Sequence, residues 1–198
     1  MEPVRQITGT ALPLDRSDVD TDQIIPSAWL KRVERTGFGD GLFEAWRRDP
    51  GFVLNRPEHQ GATILVAGPN FGTGSSREHA VWALQDYGFR AVVSPRFGDI
   101  FRNNATKAGL VPAVVDPRVA AALLEAVATE PGMLITVDVE QGVVRAPDAG
   151  IETPFPLDEF TRERLVQGLD DIGITLRHAA DIEAFETGRP AWLPVTTG

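Results

Sequence analysis

The stretch ATILVAGPNFGTGSSREHAVWALQDYG, residues 62–88, decides the fold. Ala62 to Ala67 is a continuous apolar run of strand length, the pattern of a strand covered on both faces. A glycine-rich loop, Gly68 to Gly74, follows it, and Ser75-Ser76-Arg77-Glu78 has the Ser-x-x-Glu form of a capping box. Ala80, Ala83, Leu84 and Tyr87 recur at helical spacing, and Gly88 is suited to end the helix. Arg90 to Ser94 (RAVVS) reads as the next strand. The unit is therefore a βαβ crossover with parallel strands.

The pattern continues toward the C-terminus. A helix is predicted from Phe97 to Ala108, ending at Gly109, then a strand at Leu110 to Val115 and a helix at Arg118 to Ala128 opened by Asp116 and Pro117. Met133 to Val139 and Val143 to Ala146 read as a hairpin around Glu140-Gln141-Gly142. A polar helix (Asp158 to Gln167), a glycine-bearing segment and a last helix (Ala179 to Thr187) follow, and a tail with Pro190 and Pro194 is expected to be disordered or to clasp a partner. Toward the N-terminus, Ile7 to Leu14 and Asp22 to Ile25 read as strands, and Ser27 as the cap of a short helix carrying Trp29, Leu30 and Val33. Leu42 to Arg48 offers another helical turn or two. The segment from Lys31 to Phe52, broken by Gly37, Gly39 and Gly41, reads as a long irregular loop, mobile in the isolated chain and ordered by substrate or partner. The fold class is α/β, a parallel core joined to antiparallel strands, and the length of 198 residues favours one domain.

Composition narrows the functions. The chain carries 19 Lys and Arg against 28 Asp and Glu, a formal charge of −9, which argues against a phosphate-neutralising nucleic-acid surface. Cysteine is absent, so this chain offers no disulfide, thiolate nucleophile or cysteine-ligated metal cluster. Only His59, His79 and His178 could act as imidazole ligands, and none are spaced as metal ligands. The first twenty residues have no signal-peptide core, and no apolar run approaches the roughly 20 residues that span a bilayer. A cytoplasmic protein is expected.

The loop at 68–79 is where chemistry is expected. Glycines between a buried strand and a helix allow backbone N–H groups close to a ligand, and the helix N-terminus favours an anion there. Ser75 and Ser76 add hydroxyls, and Arg77 adds a planar fork suited to a carboxylate or phosphate. An ordinary capped helix start explains the same residues equally well. The phosphate loop of nucleotide-binding enzymes fails for want of a lysine. The dinucleotide fingerprint fits Gly72 and Gly74 but meets Arg77 at its third glycine, and the serine-hydrolase elbow is absent.

The run Asn70-Phe71-Gly72-Thr73-Gly74-Ser75-Ser76-Arg77-Glu78-His79-Ala80 resembles the signature of the aconitase superfamily's swivelling domain. Asp20-Thr21-Asp22-Gln23-Ile24-Ile25-Pro26 is similar to its Thr-Asp element. Arg35-Thr36-Gly37-Phe38-Gly39, Trp82-Ala83-Leu84 with Asp86-Tyr87-Gly88-Phe89, Asp99-Ile100-Phe101 and Gly168-Leu169-Asp170-Asp171-Ile172-Gly173 narrow the resemblance to the small subunits of 3-isopropylmalate dehydratase (isopropylmalate isomerase), over nearly the whole chain. The resemblance implies a three-layer β/β/α swivelling domain that docks on a large subunit, and a four-iron four-sulfur cluster held by that partner. It implies a lyase of leucine biosynthesis that interconverts 2-isopropylmalate and 3-isopropylmalate through 2-isopropylmaleate, active only as a hetero-oligomer.

By motif position, the resemblance implies Ser75 as the base that takes the carbon-bound proton. Arg77 would grip a substrate carboxylate, with Ser76, Gly74 and Asp22 as further substrate contacts. Asp22 reads equally well as a cap for the turn before Pro26, and Glu78 and His79 are assigned to capping and helix packing. Aconitase places an arginine for its substrate's third carboxylate where this chain reads Trp29-Leu30-Lys31-Arg32-Val33. Trp29, Leu30 and Val33 could instead wall an isopropyl group or simply pack a helix face. Two alternatives stay open: the small subunit of a related dehydratase acting on homoaconitate, citraconate or another alkylmalate, and a non-catalytic module that binds a carboxylate or phosphate.

Overall fold

The computed structural model describes residues 1–31, 36–190 and 192. Val33, with Arg32 and Arg35, lies outside the described residues, as does most of the tail beyond Pro190. The strands are β1 (Gln6–Leu14), β2 (Ile64–Ala67), β3 (Ala91–Ser94), β4 (Val111–Val114), β5 (Leu134–Asp138), β6 (Val143–Ala146) and β7 (Ile151–Pro154). The helices are α1 (Thr21–Ile24), α2 (Glu44–Arg47), α3 (Glu78–Tyr87), α4 (Asp99–Ala108), α5 (Pro117–Thr129), α6 (Glu159–Gln167), α7 (Asp171–Leu176) and α8 (Ala179–Thr187).

The strands form one mixed sheet in the order β4-β3-β2-β1-β5-β6-β7. β1 joins its two halves by changing partner midway. Residues 6–10 pair antiparallel with β5, whereas Ala11 to Leu14 pair parallel with β2. Parallel pairing continues through β3 to β4, and antiparallel pairing through β6 to β7. This is the expected α/β class, a parallel βαβ core with antiparallel strands appended. Pro112 is tolerated in β4 because that strand lies at the sheet edge, where one side of the ladder needs no donor.

Both faces of the parallel half are covered, so its strands are apolar without interruption. On β2, Leu65 and Ala67 face one core with α3 and α4, while Ile64 and Val66 face the other with α5. Ala120, Leu123 and Val127 form the buried stripe of α5, and Ala80, Val81, Ala83 and Leu84 that of α3. Each large side chain so buried contributes about 1.5–3 kcal/mol.

Three readings of the sequence are corrected. Asp22 to Ile24 is helical and only Ile25 is extended, because Asp20 and Gln23 close a capping box around α1: the Asp20 side chain accepts from Gln23 N–H (2.8 Å), and Gln23 Oε1 from Asp20 N–H (2.9 Å). The cap before Pro26 therefore belongs to Asp20 rather than Asp22. The expected box at Ser75 and Glu78 does not form. Arg77 holds the N-cap position of α3 without a side-chain cap, and Glu78 is its first helical residue.

The segment after Lys31 is built into the core where it is described. Phe38, Leu42 and Phe43 are fully buried, in and beside short helical turns at Phe38–Gly41 and Glu44–Arg47. The glycines here serve close approach. A Cβ on Gly39 would come within 2.9 Å of the Tyr87 amide nitrogen, so this turn lies directly against the end of α3.

The motif at 168–173 ties the C-terminal helices to the body. Gly168 ends α6 in the left-handed region and accepts from the N-terminal ammonium through its carbonyl (3.2 Å). Asp170 caps α7, and Asp171 meets the buried Arg164 side chain at 2.7 Å. No helix among the described residues is long and apolar enough to cross a membrane.

Candidate active site

The loop between β2 and α3 is held from both sides. On one side, the N–H groups of Gly72 and Thr73 both donate to the Val19 carbonyl (2.7 and 3.2 Å), and Thr21 N–H donates to Thr73 O (2.9 Å). On the other, Phe71 N–H donates to Arg96 O (3.0 Å), and Gly98 N–H to Phe71 O (2.9 Å). The buried Phe71 ring meets Phe101 edge-on at 5.3 Å. Gly72 has φ +74°, and a Cβ there would lie 2.3 Å from Phe101 Cγ. That glycine is dictated by packing, and its amide is already spent. The donors able to face a ligand are those of Gly74, Ser75 and Ser76, which make no hydrogen bond to the described residues.

Ser75 and Ser76 are exposed at the end of this loop, directly before α3. The buried Thr21 hydroxyl donates to the Ser75 carbonyl (2.9 Å), fixing the backbone at the serine, whose own hydroxyl makes no hydrogen bond to the described residues. Arg77 is mostly buried, with 15% of its side chain exposed, and its guanidinium forms a direct ion pair with Asp22 Oδ1. The capping work of Asp20 is what releases Asp22 for this contact. Thus α1 delivers both Thr21 and Asp22 to the serine–arginine loop. Thr21 is a positioning residue that the motif reading does not single out; the capping box at Asp20 and Gln23 is the signal that could place it.

His79 does what helix packing requires. Its ring lies 5.2 Å from Phe38 and 4.7 Å from Trp82, and Phe38 N–H donates to Asp86 Oδ2 (2.9 Å). Phe38 and Asp86 thereby attach the 36–47 segment to α3. Trp29 and Leu30 are half-buried in the turn Ser27–Lys31. The Trp29 indole N–H donates to Glu44 Oε2 (2.7 Å). That bond is the main cause holding the Glu44 carboxyl below its ordinary range, with Arg48 adding to it. The structure brings Ser75, Ser76, Arg77, Gly74 and Asp22 into one place, and it sets Trp29 beside the segment that packs on the same helix.

Among the described residues, no group of three or more His, Asp or Glu side chains could hold a metal ion. The whole sequence has no cysteine, so an iron–sulfur cluster has no thiolate ligand here.

A glycine-loop serine pair and a clamped arginine on a mixed sheet of this order define an aconitase C-terminal-type domain, and residues 1–118 match the family model of the aconitase C-terminal domain. Residues 171–198 match the family model for the C-terminal domain of the 3-isopropylmalate dehydratase small subunit. The chain is 64% identical over 196 residues to the 3-isopropylmalate dehydratase small subunit of Acidothermus cellulolyticus, covering 99% of this chain and 98% of the relative. It is 61% identical over 196 residues to that of Streptomyces coelicolor, with the same coverage. The crystal structure of 3-isopropylmalate dehydratase from Methanocaldococcus jannaschii shares the fold, with a TM-score of 0.66 at 24% identity over 91% of this chain and 99% of that one. The chain belongs to the family of 3-isopropylmalate dehydratase small subunits.

Proposed function

We propose that this chain is the small subunit of a hydro-lyase that interconverts 2-isopropylmalate and 3-isopropylmalate through 2-isopropylmaleate, active only with a large subunit. The observation that carries the reading is the exposed Ser75, with uncommitted backbone donors on either side, next to an arginine already engaged by a carboxylate.

Arg77 binds a substrate carboxylate through its fork, where Asp22 now sits. Ser76 and the Gly74 amide supply further contacts. Ser75 Oγ takes the proton from the substrate carbon next to a carboxylate as hydroxide leaves the adjacent carbon. It returns that proton when water adds back in the opposite sense. A serine alkoxide is a strong enough base, and it survives only where its charge is stabilised in advance. The cationic guanidinium and the amides at the α3 N-terminus supply that field.

Trp29 and Leu30 present apolar surface where a third carboxylate would need a cation, which favours an alkyl-bearing substrate. The iron–sulfur cluster implied by the resemblance has no cysteine ligand on this chain, so we assign it to the large subunit and derive no step through it. The absence of cysteine fits that division of labour.

The test is anaerobic affinity capture of the full chain from its native extract, with iron and sulfide counted in the eluate and 2-isopropylmalate turnover assayed. A larger co-purifying chain with about one cubane cluster and turnover is the expected result. A lone, metal-free and inactive chain contradicts it, and preferred turnover of citraconate or homoaconitate would move the assignment to a related dehydratase.

A further inference from the structure

The indole of Trp29 is seated with unusual care for a half-exposed ring. Gly41 lies beneath it so closely that a Cβ there would come within 2.6 Å of two indole carbons. Glu44 takes its N–H at 2.7 Å. Both belong to a segment whose backbone is constrained. Phe43, immediately before Glu44, is a non-glycine residue at φ +49°, a conformation that costs about 1 kcal/mol or more and persists only when its surroundings enforce it. The surroundings do so here. Phe43 N–H donates to the Ile24 carbonyl (2.8 Å), and its fully buried ring stacks on Trp46 at 5.3 Å. The left-handed Phe43 turns the chain so that the next side chain meets Trp29. At its other end the segment is pinned through Phe38 to Asp86 of α3, the helix that Arg77 opens.

Trp29 packs on the edge of the core, and that packing alone does not call for a charged acceptor on its N–H. We propose that Glu44, whose own polar contacts are Trp29 and Arg48, is a positioning residue. It locks the Trp29 indole in one orientation as the apolar wall against the substrate's alkyl branch. The proposal rests on the functional reading above and deepens it by naming how specificity is set. Glu44 never meets the substrate; it selects among branches by denying Trp29 any other rotamer. The carboxylate makes a charge-assisted bond to the indole, stronger than a neutral acceptor would make. Glycine at 41 leaves room for the ring to lie flat.

The test uses the assembled two-subunit enzyme carrying Glu44→Ala, Glu44→Gln, Trp29→Phe or Glu44→Ala with Trp29→Phe. Substrates are 2-isopropylmalate and 2-methylmalate, which lacks most of the branch. Glu44→Ala should raise KM for 2-isopropylmalate about threefold to tenfold, the range for modest changes in an apolar pocket. Its kcat, and KM for 2-methylmalate, should stay within about twofold. Glu44→Gln keeps an acceptor and should restore the wild-type KM. Trp29→Phe keeps an aromatic ring but no N–H, so it should match Glu44→Ala, and the double variant should be no worse than either single one. In protein labelled with 5-fluorotryptophan, the Trp29 resonance should move in Glu44→Ala and return in Glu44→Gln.

Equal KM changes for both substrates, or additive effects of the two single changes, would overturn the proposal. If Glu44→Ala does not fold or assemble, Trp29→Phe carries the comparison, and an unchanged substrate preference there overturns the proposal equally. A wild-type assembly that leaves 2-isopropylmalate untouched overturns the functional reading itself. A wild type that turns it over, with Glu44→Ala indistinguishable from it, overturns only the role of Glu44.

Discussion

Asp22 and Arg77, 55 residues apart in sequence, meet in a direct ion pair at the mouth of the serine loop. The arginine is largely covered and the aspartate half-exposed, so the carboxylate is the partner that can give way. An arginine held by one carboxylate beside an exposed serine is already in the geometry that a carboxylate substrate requires. In the proposed function, Asp22 orients the fork before substrate arrives.

Arg77→Lys should therefore raise KM of the assembled enzyme about tenfold or more, because an ammonium cannot reproduce two parallel contacts to a carboxylate. Asp22→Ala should have a smaller effect of the same sign, about threefold, through loss of orientation alone. Steady-state kinetics on the two variants checks both. Unchanged KM in Arg77→Lys would remove the arginine from substrate binding.

Gly72→Ala should destabilise the chain by about 3 kcal/mol, combining a strained positive φ with overpacking against Phe101. For a chain of this length that is a fall of roughly 6–12 °C in Tm. A thermal unfolding curve decides it. A shift of less than about 2 °C would show that the loop relaxes around the methyl group.

Much of this architecture is legible in the sequence. The apolar run at 62–67 and the strand at 90–94 reveal a sheet buried on both faces, and Gly88 and Gly109 mark the helix ends. What escapes is decided by competition between neighbouring residues. Two carboxylates, Asp20 and Asp22, flank Thr21, and only the structure shows which one caps α1. Ser75 and Glu78 match a capping box in letters, yet α3 begins two residues too late for it. β7 is hidden because Ile151-Glu152-Thr153-Pro154 is a short edge strand with no apolar alternation to betray it. Gly39 and Gly41 read as breaks in the chain, and their close contacts with α3 and Trp29 carry no sequence signal. The candidate serines and arginine are visible as a motif. The ion pair to Asp22 is not, since no periodicity connects residues so far apart.

His59 predicts a pH dependence of stability. It is 3% exposed, and its Nδ1 is buried without a partner. Burial pushes its pKa below the ordinary histidine value of about 6.5. The unfolded chain therefore binds a proton that the folded one resists, and stability should fall as pH drops below about 6.5. Denaturant unfolding at pH 5 to 7 should show this slope in the wild type and a shallower one in His59→Gln. Parallel slopes would contradict it.

The role of Ser75 as the base is central, and its most direct test is Ser75→Ala in the assembled enzyme. Assembly with the large subunit and the Tm should both be preserved. Turnover in both directions should fall by at least about a thousandfold, as expected for loss of a group that acts in every proton transfer. Retention of more than about a tenth of the wild-type rate would assign the proton transfer elsewhere.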